Sequence, residues 1–255
     1  NVGGLLRGSD PELAGKVVVL SAHHDHFGIG EPDESGDAIF NGALDNGVAM
    51  AGGLAVAGAL AALPEPPRRS ILALFVTAEE QGMLGSRFFA TSGAFHPGRL
   101  AANLNFEMGN VWGRTRDVMV YGRGKSDLEA LLAPLAATQG RVLVAEPDER
   151  AGWYYRSDHF SFARAGVPAI WFKSGVDFVD RPAGWGEARY TEWIEQHYHR
   201  PGDEVEPSWN LEGLAEDARL AFLLAAAVAT RDELPAWTPG DEFAAARLAA
   251  LAELE

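Results

Sequence analysis

At 255 residues with 47% hydrophobic content, the chain can bury a full core and reads most simply as a single domain over residues 1–255. A formal charge of −15 argues against nucleic-acid or anionic-membrane binding, both of which need clustered Lys and Arg. Cysteine is absent, which excludes disulfides and thiolate zinc sites, so any metal must be held by His, Asp and Glu.

The chain begins with Asn and shows no signal peptide, the expectation for a processed or truncated form with sequence missing upstream. Val2–Leu6 reads as a short strand and Lys16–Ala22 (KVVVLSA) as a buried one, closed by His23-His24-Asp25-His26. Residues 27–42 are rich in Gly, Asp and Pro and predict an exposed loop. Asp45-Asn46 then opens an Ala/Gly helix over residues 47–63, where either residue suits the N-terminal cap. That helix is uncharged and near the lower length limit for a membrane span. Lacking basic or aromatic anchors, it predicts a buried helix packed through its glycines, and no membrane span is expected.

Ile71–Gly85 (ILALFVTAEEQGMLG) is an apolar strand that stops at Glu79-Glu80. Apolar character on both faces belongs to a buried strand in a parallel or mixed sheet. Such sheets place their ligand crevice at the carboxyl ends of the strands. A helix around residues 86–91 and a strand over 101–106, ending in Glu107, follow. Next come a strand over 118–122, an amphipathic helix over 126–138 and a strand over 141–145. Residues 157–165 read as a helix and 167–172 (VPAIWF) as the last buried strand. Residues 174–200 look irregular and aromatic, and 211–230 and 241–254 are closing helices. The alternation predicts an α/β fold, a three-layer sandwich whose mixed, mostly parallel central sheet is flanked by helices.

Three familiar signatures fail. The segment Gly122-Arg123-Gly124-Lys125-Ser126 has Met119 where a phosphate-binding loop needs Gly. Neither Gly-x-Ser-x-Gly nor His-Glu-x-x-His occurs. What remains is a set of strand ends: His23 or a neighbour, Glu79/Glu80 and Glu107, with Asp45 and His199 arriving from loops. Each alone reads as an ordinary surface or turn residue, as His96 and His197 do. Together they would be costly, since two carboxylates about 4 Å apart repel by roughly 4 kcal/mol at an effective dielectric of 20. Two histidines and three carboxylates suit a pair of zinc-like divalent ions, which would leave one glutamate of the pair as a general base.

Six motifs in order carry a resemblance: residues 22–26 (AHHDH), 41–46 (NGALDN), 78–86 (AEEQGMLGS), 103–108 (NLNFEM), Ser157-Asp158-His159 with Gly166-Val167-Pro168, and 198–203 (YHRPGD). In these the chain resembles the co-catalytic di-zinc exopeptidases of metallopeptidase family 28, from residue 1 to about Arg247. The resemblance implies a secreted or periplasmic aminopeptidase with two Zn2+ per chain and a peptide substrate. His23 and Glu107 would hold one zinc, Glu80 and His199 the other, with Asp45 between them. Glu79 would take a proton from the bridging water and pass it to the leaving amine. Tyr198 would donate to the oxyanion, and Asp25 would orient His23. Asp203 would support the site from behind, and Arg156 and Asp158 would lie near substrate. His24, His26 and His159 match positions that are not ligands. Two departures stand out: Glu107 replaces the family's usual Asp, and Leu44-Asp45-Asn46 replaces Asp-Asp-Asn. The alternatives are a mono-zinc acyltransferase of the glutaminyl-cyclase type and a non-catalytic binding domain on the same scaffold.

Overall fold

A computed structural model describes residues 1–254. In chain order, β1 (Val2–Leu6) and β2 (Val17–His23) precede a small hairpin, β3 (Gly28–Ile29) and β4 (Ile39–Phe40). Helix α1 (Ala49–Ala61), strand β5 (Ser70–Val76), helix α2 (Leu84–Thr91) and strand β6 (Leu100–Asn105) follow. Then come β7 (Asp117–Tyr121), α3 (Leu128–Thr138), β8 (Val142–Ala145), α4 (His159–Arg164) and β9 (Ala169–Ser174). The last elements are α5 (Trp185–Gln196), α6 (Glu212–Thr230) and α7 (Ala244–Ala252).

Seven strands form one mixed sheet in the order β1-β5-β2-β6-β9-β7-β8. The middle four, β5, β2, β6 and β9, are parallel, while β1 and β7 pair antiparallel to their inner neighbours. Every residue of β2 and β6 is buried, as expected of strands covered on both faces. One face packs Val18, Leu20, Leu104 and Ile170 against Val56 and Leu60 of α1, Leu132 of α3 and Leu224 of α6. The other packs Val19 and Leu74 with Phe89 of α2 and Phe162 of α4. A third apolar cluster, including Met108, Trp171, Trp193 and Tyr198, surrounds the site described below.

The segment Ala43–Ala61 is the described helical stretch long and apolar enough to cross a membrane, with half of it buried against the protein. Its glycines allow close packing: a Cβ at Gly52 would stand 3.4 Å from a Leu214 methyl on α6. Two expectations need correction. Asp45 and Asn46 do not cap α1; they lie in a distorted turn, 43–48, and their side chains turn inward to other partners. Residues 174–200 are also not irregular throughout, since 185–196 form α5, which presses Trp193 into the third cluster.

Candidate metal centre

The parallel strands end on one side of the sheet, and the chain delivers a carboxylate or imidazole from four successive segments there. His23 is the last residue of β2. Glu79 and Glu80 sit in the turn that follows β5, and Glu107 lies two residues beyond β6. His199 follows α5. The backbone is bent to present them: Ala78, Met108 and His199 have φ of 55°, 43° and 58°, a left-handed conformation uncommon without glycine. Such strain tends to gather at functional sites. Gly42, with φ of 63°, makes the turn before Asp45; a Cβ there would come within 2.5 Å of the Asp45 carbonyl.

Asp45 sits between two pairs. His23 Nε2 is 3.3 Å from Asp45 Oδ1 and 3.2 Å from Glu107 Oε1. His199 Nε2 is 3.5 Å from Asp45 Oδ2 and 3.1 Å from Glu80 Oε2. Each oxygen of one carboxylate therefore faces a different histidine–carboxylate pair. The electrostatics follow from this packing. Burial raises the Asp45 pKa, but His199 and His23 outweigh it and hold the carboxyl well below its usual range. Burial lowers His199, yet Asp45 and Glu80 hold it at about 9. His23 is pulled down by burial and raised further by Glu107 and Asp45, ending well above the ordinary imidazole value. Glu79 is pushed up to about 10 by burial, Glu107 and Asp158.

Several neighbours fix this arrangement, and the sequence signalled only some. Asp203 accepts the backbone N–H of Leu44 through Oδ1 and of Asp45 through Oδ2, both at 2.9 Å. Asn46 donates to the Phe106 carbonyl at 3.0 Å and accepts from the Met108 N–H at 3.1 Å, gripping both flanks of Glu107. Glu107 Oε2 accepts from Ser157 Oγ at 2.7 Å. Ser157 accepts from Asn105 at 2.8 Å, Asn105 from Ser21 at 2.7 Å, and Ser21 from Asn103 at 2.8 Å. This buried ladder was missed, although polar residues alternating with Leu104 in an otherwise apolar strand, Asn103 and Asn105, were its signal.

Three expected roles differ in the structure. His23 Nδ1 pairs with the backbone carbonyl of Asp25 at 2.9 Å, not with its carboxylate. That carboxylate instead accepts from Thr77 Oγ1 and from the Ala78 N–H at 2.9 Å, tying down the turn that carries Glu79. Asp158 is fully buried with its pKa raised to about 7, chiefly by burial, and does not line the cavity at the site. His26, set aside in the sequence, places Nδ1 2.6 Å from Glu80 Oε1. His159 is buried against Tyr154 and Trp171. Tyr198 stacks on His199 with ring centroids 3.7 Å apart, and burial with Asp45 and Glu80 raises its pKa. Arg156 lies over the Trp153 ring at 4.9 Å and, with Tyr198 and Glu79, borders a cavity of about 20 Å³ beside Asp45 and Glu107.

The donor set fits cations. Atoms of His23, Asp45 and Glu107 lie within 4.8 Å of one another, as do those of His26, Asp45 and Glu80. Glu80 Oε1 is buried with no aligned hydrogen bond. Nitrogen and oxygen donors without sulfur suit zinc. The fold and the site together define an α/β protein with a candidate two-cation centre at the carboxyl ends of its parallel strands.

The profile of Peptidase family M28 matches residues 1–223, and the chain belongs to that family. None of the curated proteins matches it. Among solved structures, the aminopeptidase from Aneurinibacillus sp. strain AM-1 superposes with a TM-score of 0.65 at 21% identity, over 91% of this chain and 48% of that one. BSAP, a zinc aminopeptidase from Bacillus subtilis, gives 0.63 at 21% identity, over 91% and 50%. A glutaminyl cyclase from an Acidobacteriales bacterium gives 0.58 at 18% identity, over 89% and 72%. At these identities the likeness shows the fold. The chain spans about half the length of the two aminopeptidases.

Proposed function

We propose that the chain is a zinc-dependent exopeptidase, an aminopeptidase that removes residues from the free amino terminus of peptides, with residues 1–255 forming its catalytic unit. The observation that carries this reading is Asp45, whose two oxygens face the His23–Glu107 and His199–Glu80 pairs separately. One zinc would be held by His23, Asp45 and Glu107, and a second by Asp45, Glu80 and His199. Such ions supply positive charge that polarises a carbonyl and lowers the pKa of water towards about 7.

The protein's residues then have defined tasks. Glu79 borders the cavity beside Asp45 and Glu107, where it accepts a proton from the attacking water and returns it to the leaving amine. Cation charge nearby favours its carboxylate form, offsetting the burial and like charges that raise its pKa. The Tyr198 phenol, kept protonated by its raised pKa, donates to the carbonyl oxygen as negative charge builds. Arg156, exposed at the cavity rim, binds the substrate's backbone or side-chain oxygens.

The test is zinc stoichiometry measured alongside a panel of aminoacyl anilides, free and N-acetylated, with and without chelator. Two zinc ions per chain and chelator-sensitive cleavage restricted to free amines are expected. One zinc, with cyclisation of amino-terminal glutamine, would replace this reading by the glutaminyl-cyclase type. No zinc uptake at micromolar metal would leave a binding domain.

A further inference from the structure

We propose that Lys173 closes the pocket receiving the substrate's terminal side chain and selects an acidic one, Asp or Glu. The inference rests on the aminopeptidase reading and names its substrate class.

Trp171 and Lys173 alternate with Phe172 on β9, so both project to the face opposite Phe172. Trp171 borders the cavity at the ligand cluster beside Glu79 and Glu107, and its indole donates to the Glu107 carbonyl at 3.1 Å. Its ring stacks on Tyr121 with centroids 3.5 Å apart. Tyr121 and Lys173 then line a second cavity of about 30 Å³. Met108, the residue after Glu107, lines the first of these cavities. The Tyr190 hydroxyl stands 3.9 Å from Met108 Sδ and 3.0 Å from Lys173 Nζ. Met108 Sδ and the Tyr190 hydroxyl thus stand in line between the cavity beside Glu107 and the ammonium, and methionine is a flexible side chain that can change rotamer to open a path.

The ammonium is short of partners. Lys173 is 7% exposed, and Nζ makes one hydrogen bond, to Tyr190. It lies over the Tyr190 ring at 4.4 Å and the Tyr121 ring at 5.8 Å. Among the described residues it has no carboxylate within 4.0 Å. Asp217, which lines a separate cavity together with Lys173, is held by Arg141 at 2.8 Å and by Ser174. Two phenol faces offset only part of the cost of burying a cation, and two of its three N–H donors remain to be used. A carboxylate would complete the pairing. At roughly 10–15 Å³ for a water-sized group, the cavity of about 30 Å³ takes the carboxylate end of a side chain and not its methylenes. The branched end of leucine is of similar size but would set methyl groups against the charge and leave it unpaired.

The experiment compares Glu, Asp, Gln and Leu anilides on the zinc-loaded chain and its Lys173→Met variant. Methionine has similar length without charge, and Lys173→Gln serves if that variant fails to fold. We expect Glu to exceed Gln in kcat/KM and the Glu-to-Leu ratio to fall tenfold or more in Lys173→Met. An unaltered ratio with Leu still cleaved overturns the role of Lys173 and leaves the aminopeptidase reading standing. If the wild type cleaves no anilide, that reading falls, and calorimetric titration with free glutamate and leucine decides the pocket. Tighter binding of glutamate that is lost in Lys173→Met supports the proposal; equal binding by both proteins overturns it.

Discussion

Replacing Asp203 with alanine separates the positioning of Asp45 from its coordination chemistry. The Asp203 carboxylate touches none of the facing histidines; it holds the N–H groups of Leu44 and Asp45, each at 2.9 Å. Alanine would leave both buried donors unpaired, at about 1–3 kcal/mol apiece. Part of this is offset because a desolvated carboxylate is removed, and burial already raises the Asp203 pKa. A net loss of about 2–4 kcal/mol remains, which for a chain of this size lowers Tm by on the order of 10 °C. Asparagine should fall between, since it keeps one acceptor but turns an NH2 towards the other donor. With Asp45 released, zinc affinity should drop about 10–100-fold, the usual cost of losing a group that orients a ligand. Thermal melts of the metal-free protein and chelator-competition titrations of zinc measure the two effects. Wild-type values for Asp203→Ala in both assays would refute the reasoning and show that the turn holds Asp45 unaided.

Glu79→Gln should bind two zinc ions as the parent does while losing about 10²–10⁴-fold in kcat, the scale of a general base; metal analysis with anilide kinetics checks it. Ser157→Ala removes the 2.7 Å bond to Glu107 and should weaken one of the two zinc-binding steps about tenfold, seen in a biphasic chelator titration. In metal-free protein, His199 is held at about 9 against an ordinary 6.5. The folded state thus binds the extra proton, and this stability is complete below pH 6.5 and fades as pH rises through 9. With a third of the side chain exposed, screening reduces the contribution to about 1–2 kcal/mol. Urea midpoints at pH 6 and pH 9.5 should differ at least accordingly, and His199→Asn should reduce the difference, leaving the part that His23 and Glu79 contribute.

The inner strands are legible because they are buried on both faces, whereas β1 and β8 are largely exposed; β1 falls at the expected Val2–Leu6, and the other sheet strands shift by one or two residues. The helix α5 escaped notice because Trp185, Tyr190 and Trp193 looked like an aromatic loop. The spacing of Gly186, Tyr190, Trp193 and Ile194 was a helical signal all the same. The grouping of His23, Asp45, Glu80, Glu107 and His199 was expected from strand ends and ordered motifs, and the structure brings them together. The supports were less legible, since they depend on which atoms point where. Asp25 acts on His23 through its carbonyl, and the turn 43–48 sends Asp45 and Asn46 in different directions. No pattern of residue types announces that.

The ladder from Asn103 to Glu107 has a polarity. A carboxylate can only accept, so Ser157 must give its proton to Glu107, and its remaining lone pair must take one from Asn105. That choice turns the Asn105 carbonyl towards Ser21, whose own hydroxyl is then filled by the Asn103 amide. Every dipole along the buried strand pair consequently points its positive end at Glu107, and aligned bonds strengthen one another. The charge at the strand end thus selects one hydroxyl and amide orientation across the sheet interior. Reversing one rung alone would set lone pair against lone pair, so the acceptor at the strand end is written into the orientation of side chains deep in the core.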